Sequence, residues 1–457
     1  MALQATYPAY QDSGLLWVPK VPQGWNVLRN GRLFAHRVQT GFPDLPILEV
    51  SLRTGVRVRD MENLKRKQVM SQKENYKRAD KGDIAYNMMR MWQGALGPAP
   101  VDGLVSPAYV VVKPFEEANS AYYSYLFRTD AYMREVNKFS RGIVADRNRL
   151  YWDEFKQMPS LVPPRPEQDQ IVAYLRAQDA HIARLIKAKR DLIGLVTEQK
   201  LRIIDHAVTR GLDALVALKP SGIEWLGDVP GHWELRRLKF LASNTTNQTT
   251  TKASDEIYLA LEHVQSWTGV ARPLVGEVEF ASTVKRFVND DVLFGKLRPY
   301  LAKVTRAHRA GVCVSEFLVL RSRKELILPA YLEQLLRCKR VIDLINSSTA
   351  GAKMPRADWT FIGNIRLPVP LKEEQEAILS YIGLETKDLD DAIARAEEEI
   401  KLIREYRDRQ IADVVTGQVD VRGWVPGPDD VVPEEDLVAL GGDEEIDTDG
   451  EEDDGEE

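Results

Sequence analysis

The sequence predicts an α+β chain built as an internal duplication: two tandem mixed α/β domains and two long coiled-coil helices. Three observations lead there. Two unlike sequence blocks each recur at nearly one offset. Strand-like and helical segments follow in the same order in both copies. Two long proline-free segments carry a heptad seam.

The first block is an entry rich in Trp and Pro. Ser13-Gly14, Trp17, Val21-Pro22 and Trp25 recur 208 positions later as Ser221-Gly222, Trp225, Val229-Pro230 and Trp233. A short helix is expected next in the second copy, over Glu234–Leu241. Branched and aromatic residues then predict strands at Ile47–Leu52, Asp83–Met89 and Val105–Val112, and at Ile257–Leu261, Asp291–Phe294 and Val312–Leu320. Helical stretches follow at Ser120–Phe139 and Pro329–Asn346. Proline-rich boundaries at Leu161–Pro166 and Leu367–Pro370 close each domain.

The second block is helical. Twelve residues of Glu167–Thr209, among them Glu167-Gln168, Ile171 and Val208-Thr209, recur at an offset of 207 in Glu374–Thr416. Positions 171, 175, 178, 182, 185, 189, 192, 196, 199 and 203 step by 4 and 3, and seven of the ten are Ile, Leu or Val. The second copy repeats the seam through Ile378, Ile382, Leu389, Ile393, Ala396, Ile400 and Ile403. At 1.5 Å per residue each helix would span ~60 Å. Two such stripes bury each other most simply by packing together within one chain, and their other faces stay free for a partner protein. The implied division is 1–166, 167–209, 210–370, 371–417 and 418–457.

Composition narrows the function. The 457 residues carry 62 basic and 68 acidic side chains. Sixteen of the acids lie from Asp429 onward, where no Lys or Arg occurs. The remaining 52 acids against 62 bases leave residues 1–428 at +10. A basic body with an acidic tail points toward nucleic acid. The tail reads as a disordered, solubilising extension, or alternatively as a decoy lying on a basic DNA channel. Two cysteines, Cys313 and Cys338, form no disulfide framework and no zinc spacing, so a reducing compartment is expected. No apolar run reaches membrane-spanning length and no signal pattern opens the chain, so a cytoplasmic location is expected.

No catalytic signature stands out. There is no phosphate-cradling GxxxxGK[ST] loop, no HExxH and no GxSxG elbow. The Asn/Asp-Pro-Pro-aromatic run expected of an amino-methyltransferase is missing too. A nuclease-like Pro43-Asp44 lacks its companion Lys at Glu49-Val50-Ser51. The tail's Glu445-x-Asp447-x-Asp449-Gly450-x5-Glu456 imitates a calcium loop but begins with Glu. No metal site and no cofactor bound by this chain is therefore expected.

The basic residues are more informative. Lys296, Arg298, Tyr300 and Lys303 lie in Phe294–Lys303, a strand-to-turn context from which side chains reach phosphates or base edges. The first copy has Asn87 and Arg90 at the corresponding place. Gly-containing basic loops precede both long helices. They carry Arg141, Arg147 and Arg149 in one copy, and Lys353 and Arg356 in the other. Arg grips guanine O6/N7 and Asn grips adenine N6/N7. Any one of these could be a plain surface charge, but the set recurs at matched positions.

At these residues the chain resembles a known family, the DNA-specificity subunits of type I restriction–modification enzymes. The resemblance rests on the entry Ser221–Trp233, on Asp291–Tyr300 with its Gly295-Lys296-Leu297-Arg298-Pro299-Tyr300 run, on Pro370–Ile378 and on Arg409–Gly417. It covers about Tyr7 to Trp424 and leaves out the tail. In the first copy Tyr86–Gln93 replaces the Gly-Lys-Leu-Arg-Pro-Tyr run. The resemblance implies two target-recognition domains separated by two long antiparallel coiled-coil helices with a pseudo-two-fold repeat. It implies that each domain reads one half of a split, asymmetric double-stranded DNA target, the helices setting the spacer. It further implies docking of two methyltransferase subunits and then two motor-nuclease subunits. S-adenosylmethionine, ATP and Mg would be bound by those partners, and this chain would be a non-catalytic subunit.

Overall fold

The computed structural model describes residues 6–52, 55–59, 73–142, 148–276, 278, 282–349, 354–430 and 440. The chain divides into two compact units, Met1–Asp191 with Glu397–Glu457, and Leu192–Ala396. Each therefore takes part of both long helices.

In the first unit a four-stranded antiparallel sheet runs in the order Phe34–Arg37, Tyr109–Pro114, Ile84–Asn87, Leu96–Pro98. In the second unit the same order is built from Ala242–Thr245, Phe317–Ser322, Val292–Gly295 and Val304–Arg306. The fillings differ. Phe34, Tyr123, Phe127, Tyr132 and Phe155 form an aromatic core in the first unit. Leu332, Leu335, Leu336, Val341, Ile342 and Ile345 form an aliphatic one in the second. A common frame with unlike side chains is the product expected of an old duplication.

Several local expectations change. Glu234–Arg237 is a strand, not a helix, and only Leu238–Leu241 is helical. The strand pairs antiparallel with Arg366–Val369, so a distant ladder outweighs local propensity. The same arrangement in the first unit pairs Asn26–Arg29 with Pro159–Val162, which makes both proline-rich boundaries partly strand. Val105–Val112 and Val312–Leu320 are each broken by a turn, closed by Tyr109 N–H to Ser106 O and Phe317 N–H to Val314 O. The helical stretches are each two helices: Ser120–Phe127 and Asp130–Phe139, and Pro329–Arg337 and Lys339–Ser347. Thr129 starts the second of the first pair by accepting the Tyr132 N–H, a competition that interrupts helix.

The long helices span Arg165–Arg210 and Lys372–Val415, 46 and 44 residues. Within the first unit they run antiparallel. Tyr174 accepts from Gln410 at 2.8 Å, Asp179 pairs with Arg407 at 2.6 Å, and Lys189 pairs with Glu399. Rising numbers on one helix meet falling numbers on the other. In the second unit Lys200 pairs with Asp390. The fold class is as the sequence predicts, but the first seam drifts. Ile171, Leu175 and Ile182 are buried, whereas Leu185 and Leu192 are each 46% exposed and Ile186 and Ile204 take the buried places. A straight helix turns every 3.6 residues, so a 3.5-residue seam slips by ~20° per heptad. In the second helix Ile378, Ile382, Ala396 and Ile400 are buried as expected.

Candidate nucleic-acid interface

In the second unit the strand Val292–Gly295 runs into Lys296, Leu297 and Arg298, then into a single 3₁₀ turn, Pro299–Leu301. Arg298 and Ala302 take positive φ of 51° and 46°, conformations that side chains normally avoid. The hydrogen bonds that impose them are Arg298 N–H to Pro355 O at 2.8 Å, Ala302 N–H to Pro299 O at 2.8 Å, and Gly295 N–H to Lys303 O at 2.9 Å. In the first unit Ile84–Asn87 runs into Arg90, the 3₁₀ turn Met91–Gln93 and Gly94 at φ 87°. Its bonds match at an offset of 208: Gly94 N–H to Met91 O at 2.9 Å and Asn87 N–H to Ala95 O at 3.0 Å. Both turns rest on the same outside supports. Met88 N–H donates to Ala108 O and Lys296 N–H to Glu316 O; Leu150 N–H donates to Met88 O and Ala357 N–H to Lys296 O.

The two turns thus share most of one backbone frame and display two sets of side chains, but they differ at the arginine: Arg90 has φ -128° and its N–H donates to Asn87 O, not to a remote loop. Met88 stands where Lys296 stands, Arg90 where Arg298 does, and Trp92 where Tyr300 does. Arg90, Lys296 and Arg298 are half-buried, and their side chains make no hydrogen bond or ion pair to another described residue. Tyr300 is 43% exposed. Asn87 accepts the Met89 N–H at 2.9 Å, which leaves its amide NH₂ as a donor.

The other expected residues are placed differently. Lys303 turns inward and donates to the Leu261 carbonyl at 2.6 Å, and burial lowers its pKa. Arg356 pairs with Glu316 at 3.0 Å, and Arg141 with Glu154 at 2.6 Å. Arg141 and Arg149 also exchange two backbone hydrogen bonds, at 2.9 and 2.8 Å. Arg147 and Lys353 lie outside the described residues, as do the tail beyond Asp430, apart from residue 440, and its calcium-like spacing.

Sequence reasoning missed the supports beneath the turns. Lys77 donates to Pro107 O and Tyr109 O, both at 2.7 Å; Lys285 donates to Ser315 O and Phe317 O at 3.1 and 2.7 Å. Burial lowers the pKa of both ammoniums. Asp83 holds Arg37 at 2.5 Å, and Asp291 holds Arg321 at 2.8 Å. Lys77-Arg78 and Asp83 recur as Lys285-Arg286 and Asp291 at the same offset of 208, a signal present in the sequence.

Among the described residues no group of three or more His, Cys, Asp or Glu is placed to hold a metal. Burial pushes the Cys313 thiol up to about 12 and raises the Cys338 thiol as well, so neither is a ready thiolate. No helix among the described residues is long and apolar enough to cross a membrane.

The fold and site define a class: an internally duplicated α+β protein with two long helices and a matched, half-buried basic turn in each unit. No family model matches the chain. It is 23% identical over 234 residues to the type I restriction enzyme EcoDI specificity subunit of Escherichia coli. That match covers 49% of this chain and 50% of the relative, so the chain spans about half the length of the curated relative it matches. A solved structure concerned with complex assembly and conformational transition of the type I R-M system covers 88% of this chain and 100% of its own, with TM-score 0.58 and 14% identity. The HsdS subunit from Thermoanaerobacter tengcongensis covers 86% and 96%, with TM-score 0.37 and 16% identity. The chain is therefore similar to type I specificity subunits in sequence, and it shares the fold of the first of these structures.

Proposed function

We propose that this chain is the sequence-specific DNA-binding subunit of a type I restriction–modification complex. Each unit reads one half of a bipartite, asymmetric double-stranded target, the first domain being 1–166 and the second 210–370. The long helices set the spacer and dock two methyltransferase subunits, and two motor-nuclease subunits join them. S-adenosylmethionine, ATP and Mg belong to those partners, and the assembly works in the cytoplasm. The chain itself is non-catalytic.

One observation carries the reading. The turns at Asn87–Ala95 and Gly295–Lys303 share most of their backbone hydrogen bonds, differing at Arg90 and Arg298, and present unlike side chains, Met88, Arg90 and Trp92 against Lys296, Arg298 and Tyr300. A fixed frame with exchanged side chains is what reading two different half-sites requires, because phosphate contacts orient while base-edge contacts discriminate. Arg90, Lys296 and Arg298 supply cations without a side-chain partner among the described residues. Arg141, Arg149 and Arg356, together with Arg147 and Lys353, would add phosphate contacts.

The test is selection from a randomised duplex library by the full chain, co-purified with its methyltransferase subunits. The expected result is two enriched blocks of different sequence separated by an unread gap of constant length. No enrichment, or one contiguous block, contradicts the proposal. A coiled-coil adaptor with two non-DNA modules, the alternative, would bind no duplex and show no salt-dependent affinity.

A further inference from the structure

Arg128 and Arg337 stand 209 positions apart, each at the end of the first helix of its unit's short pair. Arg337 is buried and Arg128 partly buried. Burial lowers the pKa of each, that of Arg128 to about 10. A guanidinium offers five donors and accepts nothing, so its burial demands a surrounding of oxygens.

The oxygens come from the turns described above and from a second loop. In the first unit Arg128 Nε donates to Gly94 O at 3.2 Å, the residue that closes the turn carrying Arg90. Its Nη2 donates to Ser51 O at 3.2 Å and Leu52 O at 3.5 Å, at the end of the strand Leu48–Ser51. In the second unit Arg337 Nη1 donates to Val304 O at 3.4 Å, just past Ala302, and the same head group binds Glu333 and Gln334. Against it lies the turn Trp267–Gly269, with Trp267 at φ 65°. A Cβ on Gly269 would come within 2.8 Å of Val304 O and still closer to the Arg337 guanidinium. In the first unit Arg128 hydrogen-bonds the turn and a second loop; in the second Arg337 hydrogen-bonds the strand that follows the turn and packs against Gly269.

We infer that Arg128 and Arg337 are specificity-positioning residues, each clamping the turn that presents Arg90 or Arg298 to a second loop of its own unit. The inference rests on the DNA-reading function proposed above. A base contact discriminates only if the reading side chain is held in one geometry, and each 3₁₀ turn buries only one residue of its own, Met91 or Pro299, to hold it. The fork of a guanidinium can bond one segment while packing on another, as Arg337 does, or bond two at once, as Arg128 does, which the point charge of a lysine does not.

The test repeats the library selection with Arg128→Ala, Arg337→Ala and the two Arg→Lys variants in the same complex. Arg128→Ala is expected to lower base preference about tenfold or more in one half-site only, the scale of one lost base contact. Arg337→Ala is expected to do the same in the opposite half-site. The Lys variants should fall between Ala and wild type, each in its own half. Unchanged selection in both halves by the folded Ala variants, or equal loss in both halves from one substitution, overturns the inference. Should an Ala variant fail to fold, the Lys variant decides by the same criterion. A wild-type chain that selects no motif overturns the DNA-reading proposal, and this inference with it.

Discussion

The Tyr122 hydroxyl donates to the Val415 carbonyl across 3.0 Å, closing the end of the second long helix inside the first unit. In the second unit Tyr331 makes the same bond to Val208, at 3.2 Å, and closes the first long helix. The last carbonyls of a helix lack internal partners, so a buried helix end needs such donors. Gly417 and Gly211, at φ 73° and 75°, then turn the chain away. The starts of the long helices match as well. Gln168 accepts from Asn119 N–H and donates to Glu117 O and Pro163 O. Gln375 accepts from Leu328 N–H and donates to Leu326 O and Pro370 O. Each unit therefore secures the start of one long helix and the end of the other.

Tyr122→Phe strands a buried carbonyl and should destabilise the first unit by about 1–2 kcal/mol. Chemical denaturation followed by near-ultraviolet circular dichroism reads this. Tyr331→Phe should act on the second unit alone, and an unchanged midpoint in both variants would show that water replaces the hydroxyl.

Lys296→Ala should weaken duplex binding with little change of target, and lower the slope of log affinity against log salt by about 1. Lys303→Ala should leave that slope as it is and reduce stability instead, because its ammonium is spent on Leu261 O. A changed target for Lys296→Ala would mean that this residue reads bases.

His36 stacks on Trp152 at 5.2 Å and 16°, and burial, aided by Lys77, lowers its pKa below 6.5. The unfolded chain then binds more protons than the folded one between the two pKa values, so stability rises with pH through the window below 6.5 and is flat above it. His36→Phe should flatten that slope in melts taken between about pH 5 and 7, around the ordinary histidine value. An equally steep slope in the variant would place the titration on another group.

Four residues inserted at facing positions of both long helices add about 6 Å. The preferred DNA spacer should lengthen by about one to two base pairs at 3.4 Å each. A methylation-site map with the old spacing would show that the helices are not the ruler.

Asp430 accepts from Gly427 N–H and meets His181 Nε2, both at 2.6 Å. Truncation after Asp430 removes the acidic segment without cutting this anchor. If the segment competes with DNA for the basic surface, non-specific affinity at low salt should rise severalfold, since such competition is electrostatic. Equal affinity before and after truncation would show the segment to be inert toward DNA.

The duplication, the long helices and the position of both basic turns were legible in the chain. Each leaves a local mark: a constant offset, a period of three to four, a strand followed by Gly and basic residues. Placement of individual cations was not legible. Lys296 and Lys303 lie seven residues apart in one motif and are both half-buried, yet only Lys303 is spent on a carbonyl, that of Leu261. Arg141 and Arg356 read as free cations and are paired with Glu154 and Glu316.

Periodicity and repetition are properties of neighbouring residues, so the sequence alone determined the fold class, the seam of the second helix and the twofold plan. Whether a charge meets water, a carboxylate or a carbonyl depends on which remote segment comes within hydrogen-bonding distance. Tertiary structure alone therefore decided the strand at Glu234–Arg237, the inward turn of Lys303 and the clamps at Arg128 and Arg337.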